Sequence, residues 1–145
     1  MSAAEQLVLQ ASVVAIEGRA LAIEGPPGSG KSSLALALID RGAQLIGDDG
    51  VTLERSGTRI IASPPPNIAG LIEIRGVGIV ELPLAPPTPL ALLLVLDAPV
   101  ERLPETAPTR EILDLAVPAL PFAPGSVAPA QRAEWALRRH GLPLP

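Results

Sequence analysis

Cysteine and tyrosine are absent from this sequence, and Phe122 and Trp135 are its only aromatic residues. The lack of cysteine excludes disulfides and thiolate metal sites, and it is typical of proteins in a reducing compartment. His140 is the single histidine, so a cluster of histidine metal ligands is excluded as well. Hydrophobic residues make up 48% of the chain. Because so few of them are aromatic, we predict an aliphatic core.

The sequence also lacks an excess of basic residues and any long hydrophobic run. The formal net charge is −4, whereas nucleic-acid-binding domains usually combine a basic face with stacking aromatics. We therefore expect no nucleic-acid partner. The apolar run 90–96 is far shorter than the ~20 residues that a membrane helix needs, and the N-terminus lacks the basic and apolar regions of a signal peptide. We expect a soluble, cytoplasmic protein without a membrane partner.

The order of strand-like and helix-like segments predicts an α/β fold. Apolar runs at 8–16 and 19–24 are predicted to be strands joined by a tight turn at 17–18. A glycine-rich loop follows, then a helix that ends at Gly42, and a short buried strand that ends at Asp48 and Asp49. Further strand predictions are a hairpin with its turn at 56–57, two short runs within 71–82, and a central strand at 90–97. A last helix is predicted between Ser126 and Gly141.

The glycine-rich loop contains the only lysine of the chain, Lys31. The segment "GPPGSGKS" is a complete P-loop pattern, Gly-x-x-x-x-Gly-Lys-Ser. Such a loop turns consecutive backbone N–H groups into one concavity, and the following helix adds the positive end of its dipole. The ammonium of Lys31 then reaches the phosphates of a nucleotide, and the Ser32 hydroxyl ligates Mg²⁺. We predict that the nucleotide is bound by Gly25, Pro26, Pro27, Gly28, Ser29, Gly30, Lys31, Ser32 and Ser33.

Three acidic residues are candidates for the magnesium ligand and for the group that accepts a proton. Asp48 and Asp49 follow a predicted strand that comes after the P-loop helix, so they fall near the loop if the strands run parallel. One carboxylate would hold Mg²⁺ and the other would accept a proton, or both lie in a solvated turn. Asp97 ends the apolar strand 90–97 and is an equal candidate for the Mg²⁺-linked carboxylate. The residues alone leave these alternatives open.

Three stretches resemble one known family: the run before Gly25, "GPPGSGKSSLALALIDRGAQLIGDD" and "LIEIRGVGIVEL". They are similar to the HPr kinase/phosphorylases, whose P-loop is followed by a helix, a glycine, a strand and an Asp-Asp pair at this spacing. The segment E-I-R-G-x-G-I is more specific than a P-loop. The resemblance covers about residues 8–97, and it implies a P-loop nucleotide-binding domain with a central mixed sheet like that family's catalytic domain.

The resemblance implies roles for individual residues. Asp48 corresponds to the catalytic acid/base that takes the proton from a serine hydroxyl, with Lys31 beside it in catalysis. Asp49 corresponds to its neighbour at the metal and phosphate site. Glu73 and Arg75 lie in the signature segment, and we assign Ser32, Asp49 and Glu73 to the metal and Arg75 to shaping the site. Asp97 then becomes a structural strand end.

The sequence departs from the family at three points. The family usually has a histidine fifteen residues before the first P-loop glycine, where this chain has Gln10. Glutamine can hydrogen-bond but cannot carry a proton at neutral pH, so we expect weak or lost phosphorolysis. The arginine-bearing C-terminal signature is not recognisable, and the family's extra N-terminal domain is expected to be absent. We predict one domain over 1–145, with a nucleotide-binding and catalytic core at about 8–97, followed by a proline-rich connection and C-terminal helix at 98–145.

The functional hypothesis is an ATP- and Mg²⁺-dependent Ser/Thr protein kinase. By resemblance, its acceptor is a serine of an HPr-like phosphocarrier protein of the phosphotransferase system, a reaction that regulates carbohydrate metabolism. The family's hexamers imply a homo-oligomer. Two alternatives are a P-loop kinase with a different acceptor and a non-catalytic nucleotide sensor. The position of the adenine pocket is not predicted, because no aromatic residue lies near the P-loop.

Overall fold

A computed structural model describes residues 6–65 and 70–145. The described residues form eleven strands and two helices, in the order β1 (Gln6–Leu9), β2 (Ser12–Ile16), β3 (Arg19–Glu24), α1 (Lys31–Asp40), β4 (Gln44–Gly47), β5 (Val51–Ser56), β6 (Arg59–Ser63), β7 (Leu71–Ile74), β8 (Gly78–Glu81), β9 (Thr88–Val95), β10 (Thr109–Ile112), β11 (Leu115–Pro121) and α2 (Pro129–His140). Neither of these helices is long and apolar enough to cross a bilayer. Of the proline cluster 64–66, which we predict to be a rigid loop, Pro66 lies outside the described residues.

The strands form one large mixed sheet and a separate hairpin. The order in the large sheet is β1-β5-β6-β9-β3-β2-β4, and β7 pairs only with β8. Strand β9 is parallel to β3 on one side, and on the other it pairs with β6 near Pro89 and with β11 from Leu93 onward. This arrangement confirms the predicted α/β fold with a central mixed sheet and the central position of β9.

The core is aliphatic, as predicted, and lies on both faces of the sheet. Along β3, Ala20 and Ala22 contribute to one buried cluster while Leu21 and Ile23 contribute to the other, which is the period of two expected for a strand buried on both faces. Both helices cover the second face, where they bury residues such as Leu34, Leu38, Ala133 and Leu137. Phe122 is buried, whereas Trp135 is 65% exposed.

Helix α1 begins and ends where the sequence predicts. Its first residue, Lys31, directly follows the glycine-rich loop. At the other end, the N–H of Gly42 donates to the carbonyl of Ile39, and the N–H of Ala43 donates to that of Leu38. This pair of bonds is a Schellman motif, and it satisfies carbonyls that the helix end leaves open. The sharp stop turns the chain directly into β4.

Two sequence predictions need correction. The run 8–16 is not one strand, because β1 pairs with β5 whereas β2 pairs with β3 and β4. The strand is interrupted at Gln10 and Ala11, where the chain changes pairing partners.

The segment 98–145 contains more than a connection and a helix, since β10 and β11 form a hairpin and β11 joins the sheet beside β9. Its turn, Leu113–Asp114, has positive φ at both residues but contains no glycine, so the usual hairpin signal is missing.

Candidate functional site

The P-loop lies between β3 and α1 at one edge of the sheet. The N–H of Ser29 donates to the carbonyl of Pro26 at 3.1 Å, and Gly30, with φ of 102°, precedes the helix. The first helical bond runs from the N–H of Leu34 to the carbonyl of Gly30. The amides of Lys31, Ser32 and Ser33 therefore have no helical acceptor, as in any first turn. Together with the helix dipole, these amides make the loop attractive to an anion.

The side chain of Lys31 arches back across the loop. Its ammonium donates to the carbonyl of Gly25 at 2.6 Å, so the two ends of the P-loop are joined by one charged hydrogen bond. Lys31 also lines the cavity in front of the loop, together with Ser32 and Ser33. The positive charge is thus held at the wall of this cavity.

Asp48 is held by donors from three elements that are distant in sequence. Its Oδ1 accepts from the hydroxyl of Ser32 at 2.7 Å and from the hydroxyl of Ser12, on β2, at 3.0 Å. Its Oδ2 accepts from the N–H of Glu73, on β7, at 3.3 Å. Hydrogen bonds from several donors stabilise a carboxylate and fix its orientation. The sheet, the P-loop helix and the β7–β8 hairpin therefore meet at this side chain.

A tight turn after β4 places both aspartates. A Cβ atom on Gly47 would lie 2.3 Å from the carbonyl oxygen of Gly50, closer than real contacts allow, so the turn closes only with glycine at this position. Strand β4 runs in the same direction as β3, because both are antiparallel to β2 between them. The ends of β3 and β4 thus lie at the same edge of the sheet, which is why the aspartates reach the P-loop.

A cavity of about 560 Å³ brings most of the predicted site residues together. Its wall contains three acidic and two basic side chains, residues of the P-loop and two aliphatic side chains. The lining residues are Pro26, Pro27, Gly28, Gly30, Lys31, Ser32, Ser33, Leu36, Asp48, Asp49, Glu73, Ile74 and Arg75. Three predicted residues do not line it. Gly25 and Ser29 lie in the loop but off this cavity, and Gln10 is exposed at the junction of β1 and β2.

The remaining sequence candidates fall away from the site. Asp97 is exposed in the turn after β9 and does not line the cavity. Sequence reasoning did not find Ser12, which is fully buried and donates to both the side chain and the backbone carbonyl of Asp48. Its one signal is a hydroxyl within the apolar run "ASVVAI", where a buried polar group needs a partner.

The donor set of the cavity suits a hard divalent cation that keeps some water. Ser32, Asp48, Asp49 and Glu73 present hydroxyl and carboxylate oxygens, the ligands that Mg²⁺ prefers. Within the residues that the structure describes, no three His, Asp or Glu side chains form a complete metal-binding group. An ion here would therefore complete its coordination with water or with oxygens of a bound ligand.

Comparison with known proteins identifies the family. Residues 1–84 match the profile described as the HPr Serine kinase C-terminal domain. The chain belongs to this family. A solved structure titled as the Hpr(Ser) kinase/phosphatase from Coxiella burnetii matches 91% of this chain and 89% of its own, with a TM-score of 0.77 and 28% identity. The fold and the family resemblance predicted from the sequence are thus confirmed.

Curated relatives match part of their own length. The HPr kinase/phosphorylase of Clostridium botulinum (strain Eklund 17B / Type B) is 40% identical over 74 residues, which is 51% of this chain and 24% of the relative. That of Lacticaseibacillus casei (strain BL23) is 32% identical over 130 residues, which is 81% of this chain and 41% of the relative. The match therefore spans 24% of the first of these relatives and 41% of the second.

Proposed function

We propose that this protein is an ATP-dependent kinase that phosphorylates a serine of an HPr-like phosphocarrier protein. The observation that carries the proposal is the 2.7 Å hydrogen bond from the P-loop residue Ser32 to Asp48. It places a carboxylate beside the hydroxyl with which P-loop proteins hold the Mg²⁺ of the bound nucleotide. Family membership supplies the acceptor class, since the relatives are named HPr kinase/phosphorylases.

Nucleotide phosphates would be bound by backbone and charge together. The first-turn amides of α1 donate to phosphate oxygens, and Lys31 exchanges its bond to the Gly25 carbonyl for bonds to phosphate. Arg75 also lines the cavity and would add a second positive charge. Positioning and charge neutralisation are the main contributions that a protein makes to phosphoryl transfer.

Magnesium would be held by Ser32, Asp49 and Glu73. The ion neutralises charge on the phosphates when bound. Ser32 lies in the first turn of α1, Asp49 in the turn after β4 and Glu73 on β7, so the three oxygens approach the cavity from different elements. Asp48 remains available as the base.

In the transfer step, a bond forms between the acceptor serine oxygen and the γ-phosphorus, and the bond from that phosphorus to the leaving ADP oxygen breaks. Asp48 accepts the proton that the serine hydroxyl loses. Its bonds from Ser12, Ser32 and the N–H of Glu73 fix it at the cavity wall, as a general base requires. In the reverse direction, phosphate would attack the phosphoserine, pyrophosphate would form, and Asp48 would return the proton.

The test is to incubate the protein with ATP, Mg²⁺ and an HPr protein and to measure phosphoserine by mass spectrometry. Asp48→Asn should lower transfer about 10²- to 10⁴-fold, the range for a general base, while ATP binding persists. Asp97→Asn is the matched control, because Asp97 is exposed outside the cavity, and it should leave transfer unchanged. Undiminished transfer in Asp48→Asn would contradict the proposed base.

Other outcomes would favour the alternatives. Tight ATP binding without transfer to any protein would indicate a nucleotide sensor, a possibility that the non-ionisable Gln10 supports. Transfer to a different acceptor would retain the kinase and change its substrate. The hexameric assembly and the cytoplasmic location stay predictions, and light scattering coupled to gel filtration measures the first.

A further inference from the structure

A second cavity lies on the other side of the P-loop. Its volume is about 290 Å³, near the lower end of the range for small-molecule sites. Gly28, Gly30 and Ser33 line both this cavity and the larger one. The loop is therefore a ridge between two adjoining cavities, and one ligand that lies across it would reach both.

The outer wall of the second cavity is the segment between β11 and α2. Pro124 and Gly125 belong to this segment, and Pro129 begins α2. Pro124 packs directly on the P-loop, since its Cγ lies 3.8 Å from the place that a Cβ on Gly30 would occupy. A segment that is remote in sequence from the P-loop thus closes the cavity.

Arg132 fixes this wall. Its guanidinium donates to the carbonyls of Val127 at 2.9 Å, Ala123 at 3.0 Å and Pro124. The same group stacks 5.0 Å from the ring centre of Phe122. One side chain therefore holds both ends of the segment, and the wall is formed before any ligand arrives. A preformed wall reduces the entropy cost of binding.

The two cavities differ in chemistry. Charged side chains line the larger one, whereas the second is lined by Gly28, Ser29, Gly30, Ser33, Leu34, Pro124, Gly125 and Pro129, none of which is charged. Proline surfaces suit the flat apolar face of a heterocycle. Ser33 borders both cavities, and the buried Oγ of Ser29 has no hydrogen-bond partner within the described residues, so the site also contains polar groups.

We propose that the second cavity binds the base and sugar of the nucleotide whose polyphosphate lies on the P-loop. The inference rests on the proposed nucleotide-binding function and deepens it, because it assigns the nucleoside to the wall built by Pro124, Pro129 and Arg132. The base packs against Pro124 and Pro129, and Ser33 lies where the sugar meets the phosphates.

The experiment compares ATP with inorganic tripolyphosphate, which lacks the nucleoside, by titration calorimetry. The wild type should bind ATP about tenfold or more tightly than tripolyphosphate. Pro129→Phe should fill the cavity, and Arg132→Gln should release its wall. Both variants should lose that preference and keep tripolyphosphate affinity within about twofold. Arg138→Gln, on the same helix but stacked on Trp135, is the matched control and should bind both ligands like the wild type.

Each result decides a different point. Equal affinity of the wild type for ATP and tripolyphosphate would overturn the nucleoside site and leave the phosphate site intact. A full preference for ATP in both folded variants, checked by circular dichroism, would place the base elsewhere and overturn it too. If the wild type bound neither ligand, the proposed nucleotide-binding function would itself fail, and the nucleoside site with it.

Discussion

The hydroxyl of Ser12 donates to Oδ1 of Asp48 at 3.0 Å and to the backbone carbonyl of the same residue at 2.9 Å. Ser12 is fully buried at the start of β2, so it is a fixed support for Asp48. It touches the proposed base from the sheet side, while Ser32 touches it from the P-loop. Ser12 is therefore a positioning residue in this site, and its loss should affect catalysis more than nucleotide binding.

We expect Ser12→Ala to lower kcat for phosphoryl transfer about tenfold, because misplacement of a base by a fraction of an ångström is costly. The KM for ATP should stay the same. Thr88→Val is the matched control, since Thr88 is also buried but its hydroxyl bonds to the carbonyl of Pro86, away from the site. Both variants should lose about 1 kcal/mol of stability. An equal fall of kcat in both would show that Ser12 has no special role.

Gly47 should tolerate substitution much less well than Gly57. A Cβ on Gly47 would meet the carbonyl oxygen of Gly50 at 2.3 Å, whereas a Cβ on Gly57 meets no atom within 4 Å. Gly57 has φ of 62°, so Gly57→Ala should cost about 1–2 kcal/mol of unfolding free energy. Gly47→Ala should cost more and should also abolish transfer, because the turn carries Asp48 and Asp49. Urea unfolding and the phosphoserine assay measure both effects, and equal stability losses would contradict this interpretation.

Lys31→Arg should fail to replace the lysine. The ammonium of Lys31 fits within 2.6 Å of the Gly25 carbonyl, and the larger planar guanidinium does not act as the same point charge. We expect ATP affinity to fall about tenfold or more, as measured by calorimetry. Arg41→Lys is the reciprocal control, because Arg41 is exposed and pairs with Glu134 on the surface. Tight ATP binding by Lys31→Arg would show that the lysine is dispensable.

His140 should contribute a small pH dependence to stability. Burial, and secondarily the nearby Arg139, lower the pKa of His140 below 6.5. Near that pH the unfolded chain therefore binds more protons than the folded chain, so stability rises with pH there. This contribution is present above pH 6.5 and is lost as the pH falls through the folded pKa. His140→Gln should flatten the slope of unfolding free energy between about pH 5 and 7, and an unchanged slope would contradict the assignment.

The P-loop and the aspartate pair could be predicted because each is specified by a short, continuous stretch of sequence. The P-loop pattern specified the turn before α1, and the strand that ends in Asp48 and Asp49 was recognisable by its apolar run. Ser12 was missed because its partner lies 36 residues away along the chain. The sequence around a single buried hydroxyl does not indicate which distant acceptor will receive its hydrogen bond.

The second cavity could not be predicted at all. Its wall combines the P-loop with Pro124 and Pro129, which come together only because β11 pairs with β9. That pairing depends on a hairpin whose turn at Leu113 and Asp114 lacks glycine, and prolines within β11 argue against a strand when only the sequence is read. The residues that line this cavity beside the P-loop are prolines and a glycine rather than aromatics, so no aromatic residue marks it in the sequence.

Gln10 gives a direct test of the reverse reaction. It lies exposed between β1 and β2, two residues before Ser12, and does not line the cavity. The family resemblance implies a histidine there, and an imidazole titrates near neutral pH whereas an amide does not. We expect Gln10→His to raise phosphate-dependent formation of pyrophosphate from phosphoserine-HPr, with a pH dependence that the wild type lacks. Forward transfer should change little.

The control for this gain is Gln44→His, because Gln44 is also exposed but begins β4 at the end opposite to the aspartates. Pyrophosphate release is measured by an enzyme-coupled assay between about pH 5 and 8, the range in which histidine titrates. If pyrophosphate release rises in Gln10→His and not in Gln44→His, an ionisable group at position 10 acts on the site through the start of β2. Equal behaviour of the two variants would remove position 10 from the mechanism and leave Asp48 as the only proton carrier proposed for either direction.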